Sequence, residues 1–420
     1  MTVLLKGTRY NISKSSAMED LLERFCRYVR IETTANEESE NYPSSSGQTE
    51  LGKLLVKELS ELGLDASIDE HSVVTTTLPG HEYNGATICW LAHLDTSPEA
   101  SGKDVNPRII RDYAGGDIVL KPGLAISSDD LEGFQGKTLI TTDGNTLLGA
   151  DDKAGVAVIV TTLARLLAQP DRPRAEIRAV FTCDEEIGRG TDRLDLKAIG
   201  AVCAYTLDGE GQGLIENETF SADVATIEVR GRNIHPGLAY EKMVNAIRVA
   251  GAFLEKLPPE LAPERTKVKE PFLHPYVLKG GVDKVTIRVL LRSFETKELK
   301  QQAELLHSLA QATEADWPGA EIQVHIEEQY RNMAEFLDKE PRAVALATEA
   351  YRKVGIEPVF KAIRGGTDGS RLSELGLPTP NLSTGMHNFH SQREFCCLQE
   401  METAVGVLME LATLWSRQTP

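Results

Sequence analysis

The run Ala86-Thr87-Ile88-Cys89-Trp90-Leu91-Ala92 constrains this chain more than any other stretch. A strand with one wet face alternates apolar and polar residues. A short run that is apolar at nearly every position suits a strand buried on both faces. Such strands belong to sheets covered by helices on either side. Open α/β sheets place their sites just beyond the C-terminal ends of their strands. This run ends in His93-Leu94-Asp95-Thr96.

The pattern recurs. Residues 175–183 form a second buried-strand candidate, ending in Asp184-Glu185-Glu186-Ile187-Gly188, and 201–207 form a third, ending in Asp208-Gly209-Glu210. Gly149-Ala150-Asp151-Asp152-Lys153 leads into an apolar run, 156–167, long enough for about three helical turns. Taken alone, either aspartate could be an ordinary helix cap. Helical spacing also marks 16–30 and 48–62, and short strands are expected at 66–69 and 73–78. Strands and helices in this alternation predict α/β layers: a mixed central sheet with helices on both faces. The polar connection 97–137 is too long for a simple loop and predicts a functional loop or a small subdomain.

Near Ser221 the texture changes. Residues 224–229 alternate like a half-exposed strand. Helices at 242–256 and 297–315 and strands at 284–291 and 322–327 complete a β-α-β-α-β order. From Met333 the α/β pattern returns, with helices at 341–354, 369–375 and 398–417. The length of 420 residues suits two domains. The expected division is a main domain of 1–219 and 331–420, interrupted by a small α+β domain at 220–330.

Charge and composition exclude several classes. A formal net charge of −18 argues against binding nucleic acid or anionic membrane surfaces. No run is long enough to cross a membrane, and Met1 to Lys14 carry no signal-peptide core, so a cytoplasmic location is expected. The cysteines show no zinc-type C-x-x-C spacing and are expected to be reduced core residues. The N-x-S/T triplets at Asn11, Asn217 and Asn381 are chance matches without a secretion signal.

The expected strand ends and the helix entry supply His93, Asp95, Asp151, Glu185, Glu186 and Asp208, and His390 follows late in the chain. Each alone has an ordinary explanation as a polar loop residue. Several together are hard to obtain by chance, because buried carboxylates are costly unless a cation offsets them. Zinc takes imidazole nitrogen and carboxylate oxygen at about 2.0–2.2 Å, and two ions about 3.5–4 Å apart can share one carboxylate.

Seven segments carry a family resemblance, in one order along most of the chain. They are H-L-D-T-S (93–97), G-A-D-D-K-A-G (149–155), D-E-E-I-G-R-G (184–190), T-L-D-G (206–209), N-I-H-P-G (233–237), R-G-G-T-D-G (364–369) and N-F-H (388–390). The chain resembles the two-zinc amidohydrolase superfamily of aminoacylase, carboxypeptidase G and peptidase T. H-L-D-T-S-P (93–98), G-A-D-D-K-A-G (149–155) and Y-P-S-S-S-G-Q (42–48) favour the peptidase T branch, the tripeptide aminopeptidases.

The resemblance implies a zinc-peptidase catalytic domain with an inserted ferredoxin-like lid and dimerisation domain, hence a homodimer. It implies two zinc ions per chain. Asp151 would bridge them, His93 and Asp208 would complete one, and Glu186 and His390 the other. Glu185 would be the general base toward a metal-bridging water, and Asp95 would orient His93. A cis peptide is implied between Asp151 and Asp152. Arg292 and Arg364 would meet the substrate's C-terminal carboxylate, and His235 would reach the partner subunit's active site to stabilise the oxyanion. On residue type alone, Arg292 could be a surface arginine, Gly365-Gly366 an anion nest, and His387 the ligand in place of His390.

The implied activity is removal of the N-terminal residue from an unblocked tripeptide. Two alternatives stand beside it. One is another amide hydrolysis of the superfamily, by a dipeptidase, carboxypeptidase or N-acyl amino acid deacylase. The other is a metal-free binding protein on the same fold.

Overall fold

His93 ends one of four neighbouring parallel strands at the centre of a mixed sheet. The computed structural model describes residues 14–420, with side chains from Met18 onward. The triplet at Asn11 and nearly all of the signal-peptide expectation lie outside the described residues. The chain divides into two units. The larger takes residues up to Asn217, Leu337–Lys361 and Thr367–Pro420, and the smaller takes Glu218–Phe336 and Ala362–Gly366.

In the larger unit the parallel strands run in the order Glu176–Thr182, Thr87–His93, Cys203–Glu210 and Asn381–His387. Antiparallel strands extend the sheet on either side: Val74–Leu78 and Ala66–Ile68 at one edge, Phe395–Cys397, Leu139–Thr141 and Arg108–Ile110 at the other. The expected burial on both faces is observed. Ile88, Trp90 and Ala92 point into one core cluster, while Cys89 and Leu91 point into another.

The helix Ala150–Leu167 packs on the first face and is buried at every position from Ala150 to Leu163. Its apolar residues run round the whole cylinder because the sheet lies on one side and the helices Lys14–Val29 and Leu398–Ser416 on others. The short helices Leu196–Ile199 and Asp368–Glu374 supply Ile199 and Leu372 to the second cluster. Residues 97–137 hold a small subdomain, the hairpin Ile118–Lys121 with Leu124–Ile126, around its own apolar cluster that includes Tyr113, Leu131 and Phe134. All six cysteines are buried and free. Among the described residues no helix is long and apolar enough to cross a membrane.

The smaller unit is a four-stranded antiparallel sheet in the order Phe272–Gly280, Lys284–Ser293, Ser221–Arg230, Glu321–Tyr330. The helices Ala246–Glu255 and Thr296–Asp316 pack on it through Val249, Phe253, Leu299 and Leu306. The chain order is therefore β-α-β-β-α-β, the ferredoxin-like arrangement, with one strand more than the sequence pattern predicts. That strand, Phe272–Gly280, lies at an edge and carries Pro275 beside a bulge, features that hide a strand in a sequence. The first helix begins at Ala246 rather than 242, because Asn245 caps it by accepting from Ile247 N at 2.9 Å.

Candidate metal centre

Asp151 lies between two imidazoles, one to each carboxylate oxygen. His93 Nε2 is 3.0 Å from Oδ1, and His390 Nε2 is 3.2 Å from Oδ2. On the His93 side, Asp208 Oδ1 stands 3.6 Å from the same Nε2. On the His390 side, Glu186 Oε2 stands 2.9 Å from its Nε2. The five residues implied as ligands thus converge in one cluster of the larger unit. His387 is engaged elsewhere: its Nε2 meets Glu400 at 2.7 Å and its ring stacks on Phe395.

The fold explains the convergence. His93 and Asp208 come from adjacent parallel strands, and Glu186 follows a third. Asp151 stands at the non-helical start of the buried helix, at φ −83 and ψ 104, which turns its carboxylate toward the two imidazoles. The Asp151–Asp152 peptide is cis, as the resemblance implies. Asp152 faces the backbone instead, accepting from His93 N at 3.1 Å and Gly155 N at 3.2 Å. It thereby ties the end of the His93 strand to the first helical turn.

Glu185 and Glu186 sit on a 3-10 turn, Glu185–Ile187, rather than on the strand end itself. The turn points them to different partners, Glu186 to His390 and Glu185 Oε1 to the backbone N–H of Asp368 at 3.2 Å. Both backbone N–H groups of the pair donate to Asp95, each at 3.0 Å. Asp95 Oδ1 also lies 3.4 Å from His93 Nδ1, without the alignment of a hydrogen bond.

Several supporting residues escaped the sequence reading. Asp184, at φ 63, is held by the 42–48 segment. Its carboxylate accepts from Ser44 N and Gln48 Nε2, and its N–H donates to Gln48 Oε1. Tyr42 donates to Cys183 O just upstream. Glu394, visible in the sequence only as an acidic residue before Phe395, accepts from Leu148, Gly149 and Asp151 N–H groups. The sequence marks 42–48 only as a segment resembling the peptidase T branch, and Asp184 only as the first residue of D-E-E-I-G-R-G.

The electrostatics fit a cation. Burial lifts Glu185 and Asp208 well above the usual carboxylate range, helped by negative neighbours, and lifts Glu186 to about 7. Burial would lower both imidazoles, yet hydrogen bonds to the carboxylates outweigh it. They raise His93 well above its ordinary value and His390 to about 11. Asp151 is lowered despite burial, because both imidazoles bond to it. Glu186 Oε1 is buried with no hydrogen-bond partner among the described residues. Ligand atoms of His93, Asp151 and Glu186 lie within 4.8 Å of one another, and so do those of His93, Asp152 and Asp208. Two imidazoles cannot offset this many buried carboxylates, whereas divalent ions can, and the nitrogen and oxygen donor set suits zinc.

Arg292, Arg364 and His235 belong to the smaller unit. Arg292 Nη1 donates to Asp223 O and Leu291 O, and its guanidinium lies over Tyr330. Arg364 donates from Nη1 to Val268 O and Glu270 O and from Nη2 to Thr266 Oγ1, lying over Phe220 and Phe272. His235 is exposed, and its Nδ1 accepts from Gly237 N at 3.1 Å.

Residues 134–414 match peptidase family M20/M25/M40. The chain is 42% identical to a peptidase T of Geobacillus thermodenitrificans, over 96% of this chain and 99% of that one. It is likewise 42% identical to a peptidase T of Clostridium botulinum, over 96% and 100%. An aminopeptidase structure from Bacillus cereus superposes with a TM-score of 0.75 at 24% identity, covering 95% of this chain and 99% of the other. A dinuclear metal-binding peptidase of Bacillus subtilis superposes at 0.65 and 16% identity, covering 96% and 99%. These two superpositions concern the fold.

Proposed function

Because this chain belongs to peptidase family M20/M25/M40, and is therefore a metallopeptidase, we propose that it is a two-zinc aminopeptidase that removes the N-terminal residue of unblocked tripeptides. One observation carries the reading: the two oxygens of Asp151 face two different imidazoles, each with a further carboxylate beside it. His93, Asp151 and Asp208 would hold one ion, and Asp151, Glu186 and His390 the other. Zinc, when bound, supplies the Lewis acidity that polarises a carbonyl and acidifies water.

The protein's own groups do the rest. Glu185 takes the proton from the attacking water and delivers it to the leaving amine. Asp95 fixes the backbone of Glu185 and Glu186, and the Asp368 N–H fixes one Glu185 oxygen. Arg292 is offered for the substrate's C-terminal carboxylate, a task its planar fork suits. Arg364 is proposed for the same carboxylate, although its hydrogen bonds in the structure go to Val268 O, Glu270 O and Thr266 Oγ1. The smaller unit acts as lid and dimerisation domain, with His235 donating to the oxyanion, and the enzyme works in the cytoplasm.

A panel of free di- and tripeptides, N-acetylated tripeptides, longer peptides and N-acyl amino acids, run with and without a chelator, tests the reading. The expected result is chelator-sensitive cleavage of free tripeptides after the first residue. Preference for N-acyl amino acids or long peptides would move the activity elsewhere in the family.

A further inference from the structure

Glu394 is buried, at 2% exposure, yet it spends its carboxylate on backbone. Oε2 accepts from Leu148 N at 2.6 Å and Gly149 N at 2.8 Å, and Oε1 accepts from Asp151 N at 3.1 Å. Burying a carboxylate is costly unless such charge-assisted bonds offset it. The loop is shaped to provide them. Gly149 takes φ 78, and a Cβ there would stand 3.2 Å from Thr96 Cγ2. The left-handed turn lets successive N–H groups converge on one anion.

The other end of Glu394 is equally fixed. Its N–H donates to Ser391 O, closing a turn that begins directly after His390. Its carbonyl accepts from Thr141 Oγ1 at 2.9 Å, and Phe395 pairs with His387 in the sheet. One side chain therefore links the loop that carries His390 to the loop that carries Asp151. Those are the two residues whose atoms meet at 3.2 Å.

We propose that Glu394 is a positioning residue that sets the spacing of Asp151 and His390, so that a metal ion is held between them. The inference rests on the metal-centre reading above. Glutamine at 394 keeps the shape but turns an amide donor toward a backbone donor. Aspartate keeps the charge but falls one methylene short. Both variants are expected to fold in zinc-free form and to bind zinc more weakly at one or both sites. The expected loss is about tenfold to a hundredfold, as for other residues that orient metal ligands.

The test is calorimetric zinc titration of the chelator-stripped full chain as wild type, Glu394→Gln and Glu394→Asp. Circular dichroism and melting of the zinc-free proteins accompany it, with kcat and KM on a free tripeptide at saturating zinc. Weakened zinc binding in folded variants, with kcat lowered more than KM is raised, supports the proposal. An unchanged titration beside a lowered melting temperature overturns it in favour of a structural brace, as does failure of both variants to fold. Absence of zinc binding in the wild type would instead overturn the metal-centre reading itself.

Discussion

Glu185 and Glu186 are neighbours in sequence, and opposite effects are expected when each is neutralised. Glu186 Oε2 meets His390 within the cluster, whereas the Glu185 carboxylate is held by the N–H of Asp368, which is not a proposed ligand. Glu185→Gln should retain two zinc ions per chain by elemental analysis and lose kcat by about 10²–10⁴-fold, the usual contribution of a general base. Glu186→Gln should bind zinc more weakly. The reverse pattern would exchange base and ligand. His93, Glu186 and Asp208 were legible in the sequence because they follow apolar runs, and Asp151 because it stands before one, where charged residues are out of place; His390 was reached only through the resemblance carried by N-F-H. The roles of Asp152, Asp184 and Glu394 were not legible: Asp152 and Glu394 act through backbone N–H groups, which leave no residue type to read, and Asp184 acts through Ser44 and Gln48, far away in sequence.

Helices Lys14–Val29 and Ser46–Glu61 are tied together at Glu58, which accepts from Arg24, Arg27 and Tyr28. Burial would raise the Glu58 carboxyl, but Arg24 and the hydrogen bonds outweigh it and hold the group below its ordinary 4.5. With the folded value below the unfolded one, the stabilisation is complete above the unfolded value and lost as pH falls through the folded value. Glu58→Gln should therefore destabilise the protein by roughly 1–2 kcal/mol near neutrality. In melting curves the gap from wild type should close as pH falls from the unfolded value through the lower folded one. A gap that persisted in acid would mean that packing, not charge, joins the helices. Elements of this kind announce themselves by periodicity: the long helices and three of the four doubly buried strands were legible, whereas Asn381–His387 was not, because Asn381, Ser383 and Thr384 interrupt its apolar run. The edge strand with Pro275 was not, because its exposed, interrupted pattern carries no period. The start of the helix at Ala246 was hidden because a capping asparagine looks like one more polar helical residue.

At the scale of the whole molecule, the expectation to test is that the active site is completed by a second copy of the chain. His235 is exposed in the smaller unit, just ahead of the short turn Pro236–Leu238. Its Nδ1 accepts a hydrogen bond from Gly237 N, so the neutral ring carries its proton on Nε2 and presents a donor there. A donor of that kind helps only where charge develops in the transition state. His235→Ala should therefore lose kcat with its zinc content intact. If the residue serves its neighbour, two inactive variants should rescue each other. In a mixed dimer of His235→Ala and Glu185→Ala, one site lacks both groups. The other has both, Glu185 from its own chain and His235 from its partner. Random assortment in a symmetric dimer makes about half of the dimers mixed, so roughly a quarter of wild-type activity should return on co-expression. If mixed dimers, isolated by two affinity tags, stay inactive, His235 does not act across the subunits. If the chain runs as a monomer in sedimentation, the same conclusion follows without the mixing experiment.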